Sequence, residues 1–246
     1  MSAVSLITGA AAGVGEYIAR RLHARGDRVV IADIDDERAA ALAAELSGGT
    51  GTARAARLDV AHKAEFERVL AEISSSWGIP DVLVNNAAKT VVAPVMTIDE
   101  ASFADVLTTN AGSVFHGCQV IGGAMAERGS GRIVNMASLA GQNGGTATGA
   151  HYAASKGAIL TVTKIFAKEF AQRGVTVNAI APGPHDVPSV RAVLPPDRLD
   201  AIVEAIPVRR LGNADFLADT AALLSAPNAH FVTGACWDIN GGLLVR

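Results

Sequence analysis

Tyr152 and Lys156, four positions apart in the stretch Tyr-Ala-Ala-Ser-Lys, are the residues with the clearest capacity for chemistry. Residues four apart lie on one face of a helix, so the Lys156 ammonium is expected beside the Tyr152 phenol. A free tyrosine has a pKa of about 10, and a neighbouring cation favours the phenolate and lowers that value. The pair therefore predicts a tyrosine that transfers protons near neutral pH.

Ser138 and Asn110 extend this predicted proton-transfer site. Ser138 follows an apolar segment and is expected to hydrogen-bond the oxygen that Tyr152 protonates. Asparagine is a mediocre helix former, so Asn110 within a helical segment is a candidate for a functional role. Its side chain, or a carbonyl released by a local bulge, is predicted to hold a water that relays protons from Lys156. Taken singly, each residue also fits an ordinary packed or solvated position.

Short apolar segments alternate with longer amphipathic ones, and this alternation predicts the elements that position the site. It is typical of a parallel sheet covered by helices on both faces. Residues 1–246 are therefore predicted to form a single doubly wound α/β domain. The predicted strands are 4–7, 28–32, 52–58, 81–84, 132–135, 175–180 and 235–239, and the predicted helices are 14–25, 36–46, 63–77, 98–127, 152–172 and 214–224.

A proline-rich segment at 182–207 interrupts the alternation. Irregular segments of this length in a compact domain are usually functional. We expect a substrate lid at about 184–207 that contains a short helix at 196–205.

Three glycines, Gly9, Gly13 and Gly15, lie between the first predicted strand and the first predicted helix. Glycines there permit a tight turn and let backbone N–H groups approach a pyrophosphate, and the helix N-terminus favours the negative charge. The spacing therefore predicts a dinucleotide-binding turn.

Asp33 ends the second predicted strand. An acid there accepts hydrogen bonds from an adenosine ribose and repels a 2′-phosphate. Ala12, before Gly13, supplies no cation for such a phosphate. Both features favour NAD over NADP, although Asp33 also fits a cap for the helix that begins near Asp36.

Further motifs complete an ordered set: Asp59-Val60, Asn-Asn-Ala-Ala at 85–88, Pro182-Gly183 and a glycine pair at 241–242. With these in place, the whole chain resembles the short-chain dehydrogenase/reductase family. The resemblance implies a seven-stranded Rossmann sheet of order 3-2-1-4-5-6-7. It also implies a catalytic set of Ser138, Tyr152, Lys156 and Asn110. The implied cofactor-binding residues are Gly9, Ala12, Gly13, Val14, Gly15, Asp33, Ile34, Asp59, Val60, Asn86, Ala87, Ala88, Tyr152, Lys156, Pro182, Gly183 and His185.

This chain departs from the family pattern in two places that concern the site. Ser138 and Tyr152 are fourteen positions apart, one more than usual, and the glycine-rich loop at 141–145 is expected to absorb the extra residue. His185 and Val187 stand where the family commonly has an aliphatic residue and a threonine. Val187 has no side-chain donor for the nicotinamide carboxamide.

The predicted substrate-binding residues are Ser138, Gln142, Asn143, Tyr152 and His185. The resulting hypothesis is an NAD(H)-dependent oxidoreductase that interconverts a secondary alcohol and a ketone. The alternative is an NADPH-dependent 3-oxoacyl-thioester reductase, because the lid and the arginines at 128, 173 and 191 look like the acyl-carrier-protein branch. A dinucleotide-binding protein without activity is the third hypothesis, and the intact Ser138, Tyr152 and Lys156 oppose it.

Composition excludes several other classes. A net charge of −3 offers no basic field for nucleic acid, and no segment has the ~18 apolar residues of a membrane span. Cys118 and Cys236 have no metal-like spacing and are expected to be reduced thiols. We therefore expect a cytoplasmic protein without a metal site, and the family resemblance suggests a homotetramer.

Overall fold

Seven parallel strands form the central sheet, with β3-β2-β1-β4-β5-β6-β9 as their order. The computed structural model describes residues 2–145, 148–187 and 196–246, and only the backbone of 196–198. The order confirms the predicted one, in which the last strand was numbered seventh. The strands are β1 (Val4–Thr8), β2 (Arg28–Asp33), β3 (Ala53–Arg57), β4 (Val82–Asn85), β5 (Gly131–Met136), β6 (Val175–Pro182), β7 (His185–Asp186), β8 (Gly212–Asn213) and β9 (Cys236–Ile239).

Helices cover both faces of the sheet because its strands are apolar on both sides. One apolar layer lies under α1, α2 and α10, and the other under α3, α4 to α6 and α8. The helices are α1 (Gly13–Ala24), α2 (Asp36–Ser47), α3 (Lys63–Ser74), α4 (Glu100–Leu107), α5 (Ser113–Gly117), α6 (Gly123–Arg128), α7 (Ala140–Asn143), α8 (Ala150–Phe170), α9 (Pro196–Ala205) and α10 (Ala214–Leu224).

The single helix predicted at 98–127 is divided in the structure. Two π turns, Thr108–Gly112 and Cys118–Gly122, separate α4, α5 and α6. The local bulge predicted around Asn110 is thus confirmed. Gly117 lies between the two π turns against β4, where an added Cβ would be 2.4 Å from Asn85 Oδ1. The helical segment therefore runs very close to the sheet.

Strands β7 and β8 were missed by the sequence analysis. They form a separate parallel pair in which His185 is opposite Gly212 and Asp186 is opposite Asn213. Two residues are too few to show the alternation by which strands are recognised. The helix predicted at 196–205 is present as α9. The residues of the predicted lid at 188–195, with Arg191, lie outside the described part of the chain.

A chain of buried amides and hydroxyls fixes α8 against the sheet. Asn85 Nδ2 donates to Asn135 Oδ1 at 2.8 Å, and Asn135 Nδ2 donates to Thr163 Oγ1 at 2.9 Å. All three side chains are buried. A buried polar group left without a partner costs roughly 1–3 kcal/mol, so these bonds define one register between β4, β5 and α8.

Cys118 and Cys236 are both free thiols, as expected. Within the described ranges, no helix combines the length and apolar character needed to cross a bilayer.

Candidate active site

The N-terminal turns of α8 meet the end of β5 at the carboxyl edge of the sheet. Ser138 follows β5, and Tyr152 and Lys156 lie in the first two turns of α8. The Tyr152 phenol is hydrogen-bonded with the side chains of Ser138 and Thr90. Lys156 Nζ lies 5.6 Å from the centroid of the Tyr152 ring. The structure thus brings the three predicted catalytic side chains together.

Lys156 is a buried ammonium whose side chain is anchored to the sheet. Only 3% of the residue is exposed, and Nζ donates to the Met136 carbonyl at 2.7 Å. Removal from water disfavours the charged form, and burial lowers the pKa of Lys156 to about 8. This lysine therefore exchanges its proton near physiological pH.

The pKa of Tyr152 moves in the opposite direction from the one expected. Burial raises it, although the hydrogen bonds with Ser138 and Thr90 act to lower it. The expectation was wrong because helical spacing places Lys156 beside the ring but does not reveal how little water reaches the phenol. A raised pKa keeps the phenol protonated, which suits a proton donor.

Asn110 sits in the first π turn and is fully buried. Its Nδ2 donates to the Lys89 carbonyl and to Ser155 Oγ, each at 3.0 Å, and its Oδ1 accepts from the Lys89 N–H at 2.7 Å. Both side-chain donors are therefore used within the protein. The Asn110 carbonyl accepts from Ser113 Oγ at 3.0 Å. Because both side-chain donors are engaged, the predicted water would have to donate to one of the two oxygens of Asn110.

Gly9, Gly13 and Gly15 each meet a different physical requirement. Gly9 has a φ of +63°, and an added Cβ would be 2.7 Å from Ala87 Cα. At Gly15 an added Cβ would be 2.2 Å from the Gly9 carbonyl oxygen, so the helix packs directly on the turn. Gly13, with φ of +59°, has no atom within 4 Å of the added Cβ. This open space borders the N-terminus of α1.

The rest of the turn also fits a dinucleotide pyrophosphate. Ala12 is extended and gives α1 no side-chain cap, so the first N–H groups of α1 are available to an anion. Val14 begins the helix beside Gly13. Asn86 Nδ2 donates to the carbonyls of Thr8 and Gly9 at 3.0 and 2.9 Å. Asn86 therefore holds the turn in shape, and its side-chain nitrogen is not free for adenosine.

Asp33 lies against the same turn. Its Oδ2 accepts from the Ala11 N–H at 2.9 Å and its Oδ1 from the Asp35 N–H at 3.1 Å. Asp35, rather than Asp33, caps α2 by accepting from the Arg38 N–H. The capping alternative for Asp33 is therefore wrong. Ile34, at 61% exposure, stands beside it on the surface.

Residues at the ends of the neighbouring strands continue this edge. Asp59 Oδ1 accepts from the Ala61 N–H at 3.1 Å, and Val60 is buried. Ala88 is exposed just beyond Ala87. Both predicted adenine contacts, Asp59 and Val60, thus follow β3 at the ligand-binding edge of the sheet.

Pro182 and Gly183 join β6 to the strand-end network. The Pro182 carbonyl accepts from the Leu139 N–H at 2.9 Å, and the Gly183 N–H donates to the Ile239 carbonyl at 2.8 Å. His185 is buried, and its Nδ1 bonds to the Gly183 carbonyl at 2.8 Å. Burial lowers the pKa of His185. Val187 is also buried. His185 is therefore a packed neutral side chain under β8, which does not favour its predicted substrate role.

Gln142 and Asn143 lie in α7, directly after Ser138. Gln142 Nε2 donates to Asp238 Oδ1 at 2.6 Å, so its side chain reaches β9. Asn143 is exposed, and its Oδ1 accepts from the Gly145 N–H at 2.9 Å. Gly144 and Gly145, in the loop predicted to absorb the extra residue between Ser138 and Tyr152, both have positive φ. The Gln142 side chain thus binds another part of the protein, whereas the exposed Asn143 side chain is accessible to a ligand.

Thr90 is a residue near Tyr152 that the sequence analysis did not name. It follows β4 by a few positions and hydrogen-bonds with Tyr152. A hydroxyl residue just beyond a strand at the ligand-binding edge was the available signal.

Three comparisons with known proteins agree with this geometry. The family model described as enoyl-(acyl carrier protein) reductase matches residues 9–244. The 3-oxoacyl-[acyl-carrier-protein] reductase FabG of Escherichia coli (strain K12) is 36% identical over 242 residues, which cover 98% of this chain and 96% of that protein. The chain belongs to the short-chain dehydrogenase/reductase family.

Other members of the short-chain dehydrogenase/reductase family carry different names. A sorbitol dehydrogenase of Cereibacter sphaeroides is 35% identical over 249 residues, covering 97% of this chain and 96% of the relative. A crystal structure of a putative gluconate dehydrogenase from Agrobacterium tumefaciens superposes with a TM-score of 0.93. It is 31% identical, and the match covers 99% of this chain and 96% of the other. The family thus establishes an oxidoreductase of CH–OH groups with a nicotinamide cofactor.

Gly13→Ala tests the predicted pyrophosphate position. A methyl group would enter the open space above α1, so we expect dinucleotide affinity to fall at least tenfold by fluorescence titration with the reduced cofactor. The left-handed backbone adds a stability cost of roughly 1–2 kcal/mol. Gly48→Ala is the matched control, since Gly48 has φ of +48° and equally open surroundings. Equal affinity of both variants would contradict the assignment.

Lys156→Met tests the buried ammonium. The pKa of Lys156 is about 8 in the folded protein and 10.5 in the unfolded chain. Burial of the ammonium therefore lowers the free energy of unfolding by its full amount below pH 8, and this loss disappears as the pH rises from 8 through 10.5. We expect the free energy of unfolding of Lys156→Met to exceed that of the wild type by roughly 2–3 kcal/mol at pH 7. Loss of the hydrogen bond to the Met136 carbonyl reduces this gain. Urea unfolding at pH 7 and pH 10 measures the difference, which should shrink at pH 10. Lys168→Met, on the exposed side of α8, should change little at either pH.

Proposed function

We propose that this protein is an NAD(H)-dependent oxidoreductase that interconverts a secondary alcohol and a ketone, with Tyr152 as the general acid and base. The observation that carries the proposal is the meeting of Tyr152, Ser138 and the buried Lys156 at the same sheet edge as the glycine turn and Asp33. Ligands of open α/β sheets bind at this edge.

The chain's own residues supply position and a proton path. A bound nicotinamide would supply or accept the hydride at the substrate carbon. Tyr152 gives its phenolic proton to the substrate oxygen in reduction and takes it back in oxidation. Ser138 holds the same oxygen. Lys156, with its pKa near 8, restores the proton that Tyr152 gives up. The carbonyl of Asn110 is the proposed ligand of the water that connects Lys156 to solvent.

Asp33 supports NAD as the cofactor. Two backbone N–H groups fix its carboxylate beside the turn, so it stands where a ribose diol would donate and a 2′-phosphate would be repelled. Neither Ala12 nor the exposed Ile34 offers a positive charge.

The names of the relatives favour two substrate classes. Sorbitol dehydrogenase and putative gluconate dehydrogenase suggest hydroxyl-bearing substrates and support the oxidation of a secondary alcohol. The name of the Escherichia coli relative supports the alternative, an NADPH-dependent 3-oxoacyl-thioester reductase. Arg128 gives that alternative little help. Its guanidinium donates to the carbonyls of Ile79, Pro80 and Ser130 and is therefore already engaged in the fold.

We also propose a cytoplasmic homotetramer. The phenylalanines at 166 and 170 are buried, whereas Phe115, Phe103 and Ile165 on α4, α5 and α8 are more than 40% exposed. These exposed apolar side chains are the ones that contacts between subunits would bury. Light scattering at micromolar concentration should therefore give about four times the 25.2 kDa chain mass, and a monomer would contradict the proposal.

Steady-state kinetics tests the function. Rates with NAD and NADP on sorbitol, gluconate and simple secondary alcohols should show at least a tenfold NAD preference in kcat/KM. Tyr152→Phe should lower kcat at least about 100-fold and leave NADH binding intact. Tyr17→Phe, in α1, is the control and should keep full activity.

Two results would decide against this assignment. A strong NADPH preference with acetoacetyl-thioester would favour the alternative, and Asp33→Asn would then leave the cofactor preference unchanged. Unchanged turnover in Tyr152→Phe would exclude Tyr152 as the acid and base.

A further inference from the structure

Asp238, on β9, binds side chains from two other parts of the chain. Its Oδ1 accepts from Gln142 Nε2 at 2.6 Å and from Arg246 Nη2 at 2.9 Å, and its Oδ2 accepts from Arg246 Nε at 2.7 Å. Cys236 Sγ lies 3.5 Å from Oδ1. We call Gln142, Cys236, Asp238 and Arg246 the Asp238 cluster. It connects α7 to the end of the sheet.

In the Asp238 cluster, the Asp238 carboxyl group is ionised and its partners fix its orientation. Burial alone would raise the pKa of Asp238, but the hydrogen bonds from Arg246 and Gln142 outweigh it, so the pKa is lowered. Burial and the nearby Asp238 charge raise the pKa of Cys236 to about 11, so its thiol stays neutral. Arg246 meets the carboxylate through two nitrogens, the arrangement that best fixes a carboxylate in orientation. Asp238 thus presents a fixed acceptor to Gln142.

Helix α7 carries this constraint to the catalytic serine. Ser138 Oγ accepts from the Ala140 N–H at 3.1 Å. The Gly141 N–H donates to the Ser138 carbonyl at 3.0 Å. A shift of α7 therefore moves both the hydroxyl and the backbone of Ser138. Gln142 lies in the same single turn.

The opposite side of α7 rests on α8. An added Cβ at Gly141 would be 2.4 Å from the carbonyl carbon of Lys156, so the two backbones touch. Backbone contact alone permits sliding, because α7 offers only small side chains there. Within the described ranges, Gln142 is the one side chain of α7 that hydrogen-bonds to another element. The backbone bond from the Leu139 N–H to the Pro182 carbonyl ties the start of α7 to β6, and the bond from Gln142 to Asp238 ties its last turn to β9.

We propose that Asp238 and Arg246 are positioning residues for the reaction: acting through Gln142, they hold α7 so that the Ser138 hydroxyl meets the substrate oxygen. The kinetic part of this inference rests on the proposed function. The structural part, that the Asp238 cluster immobilises α7, stands apart from it.

Hydrogen exchange measured by mass spectrometry tests the structural part. Asp238→Leu removes the acceptor, and Gln142→Met removes the donor at similar size. We expect the amides of 139–144 to exchange about tenfold faster in each variant, and no faster in the double variant, because both substitutions break one bond. Arg246→Gln should give a smaller increase. It also keeps the test available if Asp238→Leu folds poorly. Arg173→Gln, which breaks an exposed pair with Glu169 elsewhere, is the matched control.

Kinetics of the same variants tests the coupling to Ser138. Asp238→Leu and Gln142→Met should each lower kcat about three- to tenfold. NADH affinity should stay unchanged, since the glycine turn and Lys156 keep their contacts. Unchanged exchange at 139–144 would overturn the proposal. So would additive effects on kcat, or a parallel loss of NADH affinity that indicates general damage. A wild type that turns over no alcohol would contradict the proposed function alone, while the exchange result would still decide the role of the cluster.

Discussion

The active site depends on the burial of one positive charge, the Lys156 ammonium, against the Met136 carbonyl. An ammonium removed from water is unfavourable unless its surroundings are rigid and polar. The amide chain of Asn85, Asn135 and Thr163 provides that rigidity by fixing α8 on β5. The same packing partly shields Tyr152 from water. Part of the stability of the fold is therefore spent on a proton-transfer pair in which burial raises the pKa of Tyr152 and lowers that of Lys156.

The parallel sheet brings distant parts of the chain to one edge. The strands of the central sheet end there, and residues at or just after the ends of β1 to β6 form the candidate site. Several of them are hydrogen-bonded to one another within the protein. Asn86 shapes the glycine turn, Asp33 is fixed by Ala11, and Leu139 is bonded to Pro182. The site is thus an interlocked network, and its ligand-facing groups are held by backbone bonds.

The sequence was sufficient for whatever depended on local pattern. Alternation of segments predicted the sheet, and a poor helix former predicted the bulge at Asn110. Contacts between distant segments were not predictable in this way. The hydrogen bond from Gln142 to Asp238 joins residues that are 96 positions apart in the chain, and no sequence-spacing rule predicts it. The direction of the Tyr152 pKa shift was not predictable either, because desolvation depends on how β4, β5 and α8 pack together. The burial of His185 under Gly212 was not predictable either, because it follows from a strand pair too short to recognise.

Gly144 and Gly145, with φ of +86° and +69°, turn the chain just after the end of α7. Such a turn is where a protein tolerates insertions and deletions best, since no packed side chain depends on its length. Evolution, or a protein engineer, can therefore reshape the entrance to the substrate cleft by lengthening this loop. The acid, the lysine and the serine would stay in place. The fourteen positions that separate Ser138 from Tyr152 are where we expect this freedom to be used.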